Sequence, residues 1–107
     1  FLEEADELLA KRAARGELDS FRKLVEKYQG KVFSTCLFAL GDRAEAEDAA
    51  QEVFIQLYRC LADYRQEALF ATWLHRIVMN KCLELRRKRA RRMNVAPMGA
   101  ARRGCGA

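Results

Sequence analysis

The chain has 107 residues, 20 Lys and Arg against 15 Asp and Glu, and half of its residues are hydrophobic. That length suits one domain with a modest core and excludes two. A charged fraction of 33% beside 50% hydrophobic residues is too apolar for a wholly disordered chain and too often interrupted by charge for a membrane span. Pro97 is the only proline, and Gly41, Gly99, Gly104 and Gly106 lie outside any long periodic segment, so turn punctuation is scarce and the expected class is all-α.

In chain order, a first short helix is expected over about Glu3 to Arg15, with Leu8, Leu9 and several alanines, ending at Gly16. A second starts near Asp19 or Ser20, both good caps. It carries Phe21, Leu24, Val25, Tyr28, Val32, Phe33, Cys36 and Leu40 at helical spacing up to Gly41. A third follows Asp42 and directs Ala46, Ala49, Ala50, Val53, Phe54, Leu57 and Leu61 to the core. On its reverse side Asp48, Glu52, Ile55 and Arg59 fall within an arc of roughly 60°, with Gln51 at the flank. Ile55 is an aliphatic among charges, consistent either with an ordinary exposed side chain or with a ridge for a partner helix.

The polar segment Ala62 to Ala68 breaks the periodicity and carries one aromatic, Tyr64. A fourth helix runs from about Leu69 to Arg92, with Phe70, Leu74, Ile77, Val78 and Leu85 on its core stripe and Trp73 at the edge. Trp73, Arg76, Asn80 and Arg87 share one flank. An aromatic face, an amide and guanidiniums side by side are the chemistry of single-strand binding, although core packing for Trp73 and solvation for Asn80 are the plainer readings of each alone. The expected architecture is a compact bundle of about four helices over residues 1–92. Residues 93–107 should be a disordered stretch, the start of an interdomain linker.

Charge is unevenly spread. Residues 81–107 hold nine basic groups and one acid, a net +8, so with +5 overall the remainder carries −3. The run Arg86 to Arg92 is too dense for an amphipathic membrane helix and reads as a phosphate-contacting end. Its self-repulsion should fray a free helix, and its binding should depend strongly on salt. Cys36, Cys60, Cys82 and Cys105 are spaced by 24, 22 and 23 residues, which fits neither a zinc ligand pair nor a dense disulfide framework. Core thiols are expected, and no metal site, even with the single His75. With no signal peptide or membrane run, the expected compartment is cytoplasmic, and Phe1 in place of an initiating Met points to an excerpted chain.

Three blocks then carry a resemblance. The stretch Asp19 to Tyr28, the AEDAAQEVF string Ala46 to Phe54, and the FATWLHRIVMN string Phe70 to Asn80 resemble the second region of bacterial RNA polymerase sigma factors, in the extracytoplasmic-function group of the sigma-70 family. The resemblance implies a transcription initiation factor domain with no catalytic residues and no cofactor. It implies that Asp48, Gln51, Glu52, Ile55 and Arg59 dock on the clamp coiled coil of the largest subunit of the polymerase core. It also implies that the loop Tyr64, Arg65, Gln66, Glu67 and Ala68 holds a flipped base of the nontemplate strand at the promoter minus-ten element. Phe70, Trp73, Arg76 and Asn80, with Arg87 beyond them, would face that strand. An anti-sigma factor is the implied regulatory partner, without membrane insertion.

Two departures bear on this. Relatives often place Gly and Ser in the loop, so the bulkier loop here leaves the preferred base open. Relatives also continue into a helix-turn-helix, so this chain is not expected to recognise a whole promoter alone. The competing reading is a helical interaction module held by a regulator of the anti-sigma type, its basic tail merely solubilising. A metal sensor using His75 and the cysteines is disfavoured by spacing.

Overall fold

The computed structural model describes residues 5–94, with side chains described through Arg92. They form four α-helices and one short 3-10 turn: α1 (Asp6–Ala14), α2 (Leu18–Leu40), α3 (Arg43–Cys60), the turn Leu61–Asp63, and α4 (Phe70–Asn94). The expected all-α bundle is what is observed. The expectation of a disordered linker over 93–107 falls almost wholly outside the described residues.

Local chemistry sets the boundaries. Gly16, at φ 100°, turns the chain after α1, and Gly41, at φ 74°, closes α2 by donating its N–H to the Leu37 carbonyl at 2.8 Å. Asp42 caps α3 by accepting from the Glu45 N–H at 2.9 Å, as its place in the sequence predicts. The start of α2 differs from expectation. Its cap position is Glu17 rather than Asp19 or Ser20. Ser20 lies inside the first turn, buried, and its hydroxyl donates to the Glu17 carboxylate, a side-chain contact across the first turn with no side-chain cap bond to the backbone.

Helix α2 is the central element, touching α1, α3 and α4. The core joins Leu9, Ala10 and Ala13 of α1 to Leu24, Tyr28, Val32, Cys36 and Leu40 of α2. Ala46, Ala49, Val53 and Leu57 come from α3, and Phe70, Leu74, Ile77, Val78 and Cys82 from α4. The alanines of α3 let it approach α2 closely, while the large side chains of α4 fill the space opposite. Cys36 and Cys82 meet across α2 and α4 as free thiols with sulfurs 3.8 Å apart.

Helix α4 stays helical through its basic run to Asn94, where the sequence predicted fraying in the free chain. Arg89 accounts for much of the difference. It turns inward, donating to the Leu40 carbonyl at 3.1 Å and pairing with Glu45, so one charge of the run is neutralised and the helix is tied to the α2–α3 corner.

Burial, with the neighbouring Cys82 second, pushes the Cys36 thiol up to about 12, and burial followed by the hydrogen bond to Asp6 raises the Tyr28 phenol. The folded chain holds these protons more tightly than the unfolded one. Their stabilising contribution is therefore complete below the ordinary thiol and phenol ranges and is lost as pH rises through the raised values. Thermal melting across pH 9 to 12 should show a steady fall in Tm, and Cys36→Ala should flatten that fall even though it lowers Tm at neutral pH by leaving a cavity.

Candidate functional site

Two surfaces carry the sequence-predicted residues. The first is the loop between the 3-10 turn and α4. Tyr64 follows the turn, its N–H bound to the Leu61 carbonyl at 3.1 Å and its hydroxyl donating to the Ala68 carbonyl at 2.7 Å, so one side chain spans and closes the loop. Gln66 is the one non-glycine residue among those described with positive φ, at 64°. Such a conformation costs an L-residue about 1–2 kcal/mol, which the loop closure must hold in place.

The loop encloses a cavity of about 510 Å3 lined by Asp63, Tyr64, Arg65, Glu67, Ala68, Trp73 and Arg76. That is within the usual range for a small-ligand site. Six of the ten residues predicted to meet a strand are thus brought together. Gln66, Asn80 and Arg87 do not line the cavity; Arg87 is exposed and Asn80 half-buried farther along the same flank of α4.

Phe70 is a correction. It has no exposed surface and cannot face a strand, because it forms the floor on which the site stands. Its ring touches Tyr28 at 5.7 Å, Tyr64 at 5.8 Å and Trp73 at 6.0 Å between centroids. Trp73 is also more enclosed than an edge position suggests, at 9% exposed. Tyr64 lies against it at 4.7 Å and 33° between planes. Tyr64 therefore occupies a stacking position on the indole and offers the more accessible aromatic surface, with Arg65, Glu67 and Arg76 exposed around it. Burial, then the charges of Glu7 and Asp6, raise the Tyr64 phenol, which keeps it a neutral hydrogen-bond donor.

The second surface is the outer face of α3, where Asp48, Gln51, Glu52, Ile55 and Arg59 are all exposed, Ile55 by 53%. Here periodicity and structure agree. Gln51 and Ile55 also form one wall of a groove of about 800 Å3 between α2 and α3, whose floor includes Phe21, Val25, Phe33 and Phe54. The sequence carried a signal for this groove: α2 is apolar over a wider arc than a single neighbour can cover.

Three residues outside the predicted set shape these surfaces. Lys81, only 13% exposed, bridges Glu52 of α3 at 3.2 Å and Glu84 at 3.4 Å, linking the two surfaces. Arg89 anchors the basic run. Glu7 of α1 accepts the Phe70 N–H at 3.0 Å. None is evident from local pattern, because each has a partner on another helix: Glu52 for Lys81, Glu45 for Arg89 and Phe70 for Glu7. Among the described residues no group of three or more His, Cys, Asp or Glu side chains is placed to hold a metal, and no helix is long and apolar enough to cross a membrane. His75 is exposed on a separate cleft between α2 and α4.

Comparison with known proteins identifies the family and the fold. The family model described as Sigma-70 region 2 matches residues 24–92. The RNA polymerase sigma-H factor of Pseudomonas aeruginosa is 42% identical over 78 residues, covering 73% of this chain and 40% of that protein. The ECF RNA polymerase sigma factor SigW of Bacillus subtilis is 37% identical over 79 residues, covering 74% and 42%. The chain thus spans less than half the length of these curated relatives. Among solved structures, an engineered region 2 of sigmaE in complex with GTAAAA superposes with a TM-score of 0.76 at 32% identity, over 83% of this chain and 93% of that one. CnrH in complex with the cytosolic domain of CnrY gives 0.67 at 31% identity, over 85% and 60%.

The backbone at Gln66 makes a direct prediction. Gln66→Gly should leave the unfolding free energy within about 1 kcal/mol of the parent, strain relief offsetting the greater chain entropy of glycine. Gln66→Val, whose branched side chain is poorly accommodated at positive φ, should lower it by about 1–2 kcal/mol in urea titrations.

Proposed function

The chain belongs to the Sigma-70 region 2 family, within the extracytoplasmic-function group of its relatives, and on that premise we propose that it is the promoter-melting part of a transcription initiation factor. In this reading it acts in the cytoplasm as a binding protein and carries out no chemistry of its own. The exposed ridge Asp48, Gln51, Glu52, Ile55 and Arg59 docks on the clamp coiled coil of the polymerase core. Docking brings the loop and α4 against the minus-ten element, and bases of the nontemplate strand are captured as the duplex opens.

The observation that carries this reading is the loop cavity, where an aromatic pair, two guanidiniums and the carboxylates of Asp63 and Glu67 line a space of about 510 Å3. Extracting a base costs a few kcal/mol in lost stacking and pairing. Contacts with an aromatic surface return about 1–3 kcal/mol per base, and phosphate contacts by Arg65, Arg76 and Arg87 add an electrostatic part. Opening therefore needs no nucleotide hydrolysis. That an engineered sigmaE region 2 of the same fold was solved in complex with GTAAAA supports nucleic-acid binding by this fold.

A second occupant is favoured by a separate observation. The α2–α3 groove is broadly apolar and lies beside the docking ridge, and CnrH was solved with the cytosolic domain of CnrY. We propose that a regulator of the anti-sigma type covers this face and competes with the polymerase, so both readings hold for one chain in different states.

Fluorescence anisotropy with a nontemplate-strand oligonucleotide, in the presence of core polymerase, tests the assignment. Trp73→Ala with Asn80→Ala should weaken strand binding and transcription together; unchanged values for both would show the assignment to be wrong. Arg87→Ala should reduce the slope of log affinity against log salt by about 0.7, the share of one phosphate contact on a single strand. Ile55→Arg should weaken polymerase binding by about tenfold or more, measured by competition with the parent chain.

A further inference from the structure

Helix α4 begins without a capping side chain of its own. The Leu69 carbonyl accepts the Trp73 N–H at 3.0 Å, which makes Leu69 the cap position. Leu69 is 70% exposed, and its side chain has no hydrogen-bond acceptor. Helix starts elsewhere favour Ser, Thr, Asp or Asn there, because the first-turn N–H groups have no partner within the helix. The N–H of Phe70 finds one 63 residues away, in the Glu7 carboxylate at 3.0 Å. A carboxylate at this point also opposes the positive end of the helix dipole.

Glu7 is well placed to hold this position. Its neighbour Asp6 accepts from the Tyr28 hydroxyl and pairs with Lys27 at 2.8 Å, fixing the first turn of α1 on α2. Leu9, Ala10 and Ala13 bury the other side of α1. The residue that Glu7 holds is Phe70, whose ring supports both Tyr64 and Trp73. A shift of the Phe70 backbone would therefore move two walls of the loop cavity together. Helix α1 lies before residue 24, where the family match begins, so this link is not part of the matched segment.

We propose that Glu7 is a positioning residue for strand capture: it holds the Phe70 N–H from α1 and so sets the start of α4 and the Tyr64–Trp73 wall of the loop cavity. This rests on the reading above that the cavity takes an unpaired base. Glu7 does not touch the strand; it acts through Phe70.

The experiment compares the parent chain, Glu7→Ala, Glu7→Gln and the double variant Glu7→Ala/Leu69→Asp, which supplies α4 with a local cap. Amide exchange of the first turn of α4 and the emission of Trp73, the single tryptophan, are read on the protein alone. Affinity for a nontemplate-strand oligonucleotide is read with core polymerase bound, and affinity for the polymerase is read separately. Glu7→Ala should speed exchange at Phe70, shift Trp73 emission and weaken strand binding by about tenfold while polymerase affinity stays unchanged. Glu7→Gln, which keeps an acceptor oxygen, should recover most of the loss, and the double variant should recover it through the local cap.

A general loss of structure would instead lower both affinities in step with the melting temperature, and would overturn the proposal. So would a Glu7→Ala chain that binds the strand as the parent does despite a faster Phe70 amide. If Glu7→Ala does not fold, the double variant decides: protected amides with strand affinity still low overturn the proposal. A parent chain that binds no strand in the presence of polymerase overturns the reading of the cavity itself, a result distinct from all of these.

Discussion

The burial of Phe70 is the contact on which the rest of the arrangement depends. One ring without solvent exposure joins Tyr28 of the central helix, Tyr64 of the loop and Trp73 of α4. Its own N–H is held by α1. A single residue thereby ties together α1, α2, the loop and α4 at the point where α4 starts. Truncating a large buried aromatic to Ala ordinarily costs about 3–5 kcal/mol. Here the loss would also remove the support beneath both aromatic walls of the cavity, so stability and site geometry are the same contact seen from two sides.

The two surfaces differ in how they use charge. On α3 exposed charges surround an aliphatic centre, an arrangement that, in the proposed docking, would set orientation while Ile55 supplies buried area. On α4 the charges crowd along one end, and the bundle restrains them at a few points. Arg89 is drawn to the α2–α3 corner and Lys81 is held between Glu52 and Glu84. These inward contacts leave Arg86, Arg87, Lys88 and Arg92 pointing outward on a helix of fixed direction. A basic run that would repel itself in isolation becomes an ordered array because one of its members, Arg89, and the nearby Lys81 are paired within the protein.

Much of this was legible in the sequence. Helical spacing placed Leu24, Val53, Leu57 and Ile77 in the core and left Asp48, Glu52, Ile55 and Arg59 outside, because a repeat near 3.6 residues separates the two faces without reference to any other helix. The glycine after α2 and the aspartate before α3 were equally readable, since a positive φ and an exposed N–H each demand a particular side chain locally. What periodicity could not resolve was depth at the edge of a stripe. Trp73 lies where an exposed and a buried position differ only in whether a loop folds over it, and it is Tyr64 that folds over it; Phe70 stands on the core stripe by spacing, and only the family resemblance turns it toward a strand. Spacing along one helix likewise hid Glu7, Lys81 and Arg89, each of which has a partner on another helix. It also hid Glu17 as the cap of α2, because serine at the third helical position and serine at the cap look alike in a string of letters.

In the proposed reading, the loop and the basic run represent opposite solutions to binding one polymer. Phosphates repeat along a strand and tolerate imprecise contacts, so long cationic side chains on a rigid helix suffice, their cost being mainly side-chain ordering on association. An unstacked base is planar and is lost to solvent or to its neighbours unless a shaped surface is already waiting. The Tyr64 hydroxyl bond to Ala68 and the Phe70 floor hold that surface formed in the free protein, and the strained Gln66 is the stability given up to keep it. Energy spent before binding is not spent during it, so a loop held this tightly gives up affinity for alternative shapes in exchange for selectivity toward a base already out of the helix. That trade explains why a small domain with a modest core keeps a left-handed glutamine where a relaxed loop would have been easier to fold.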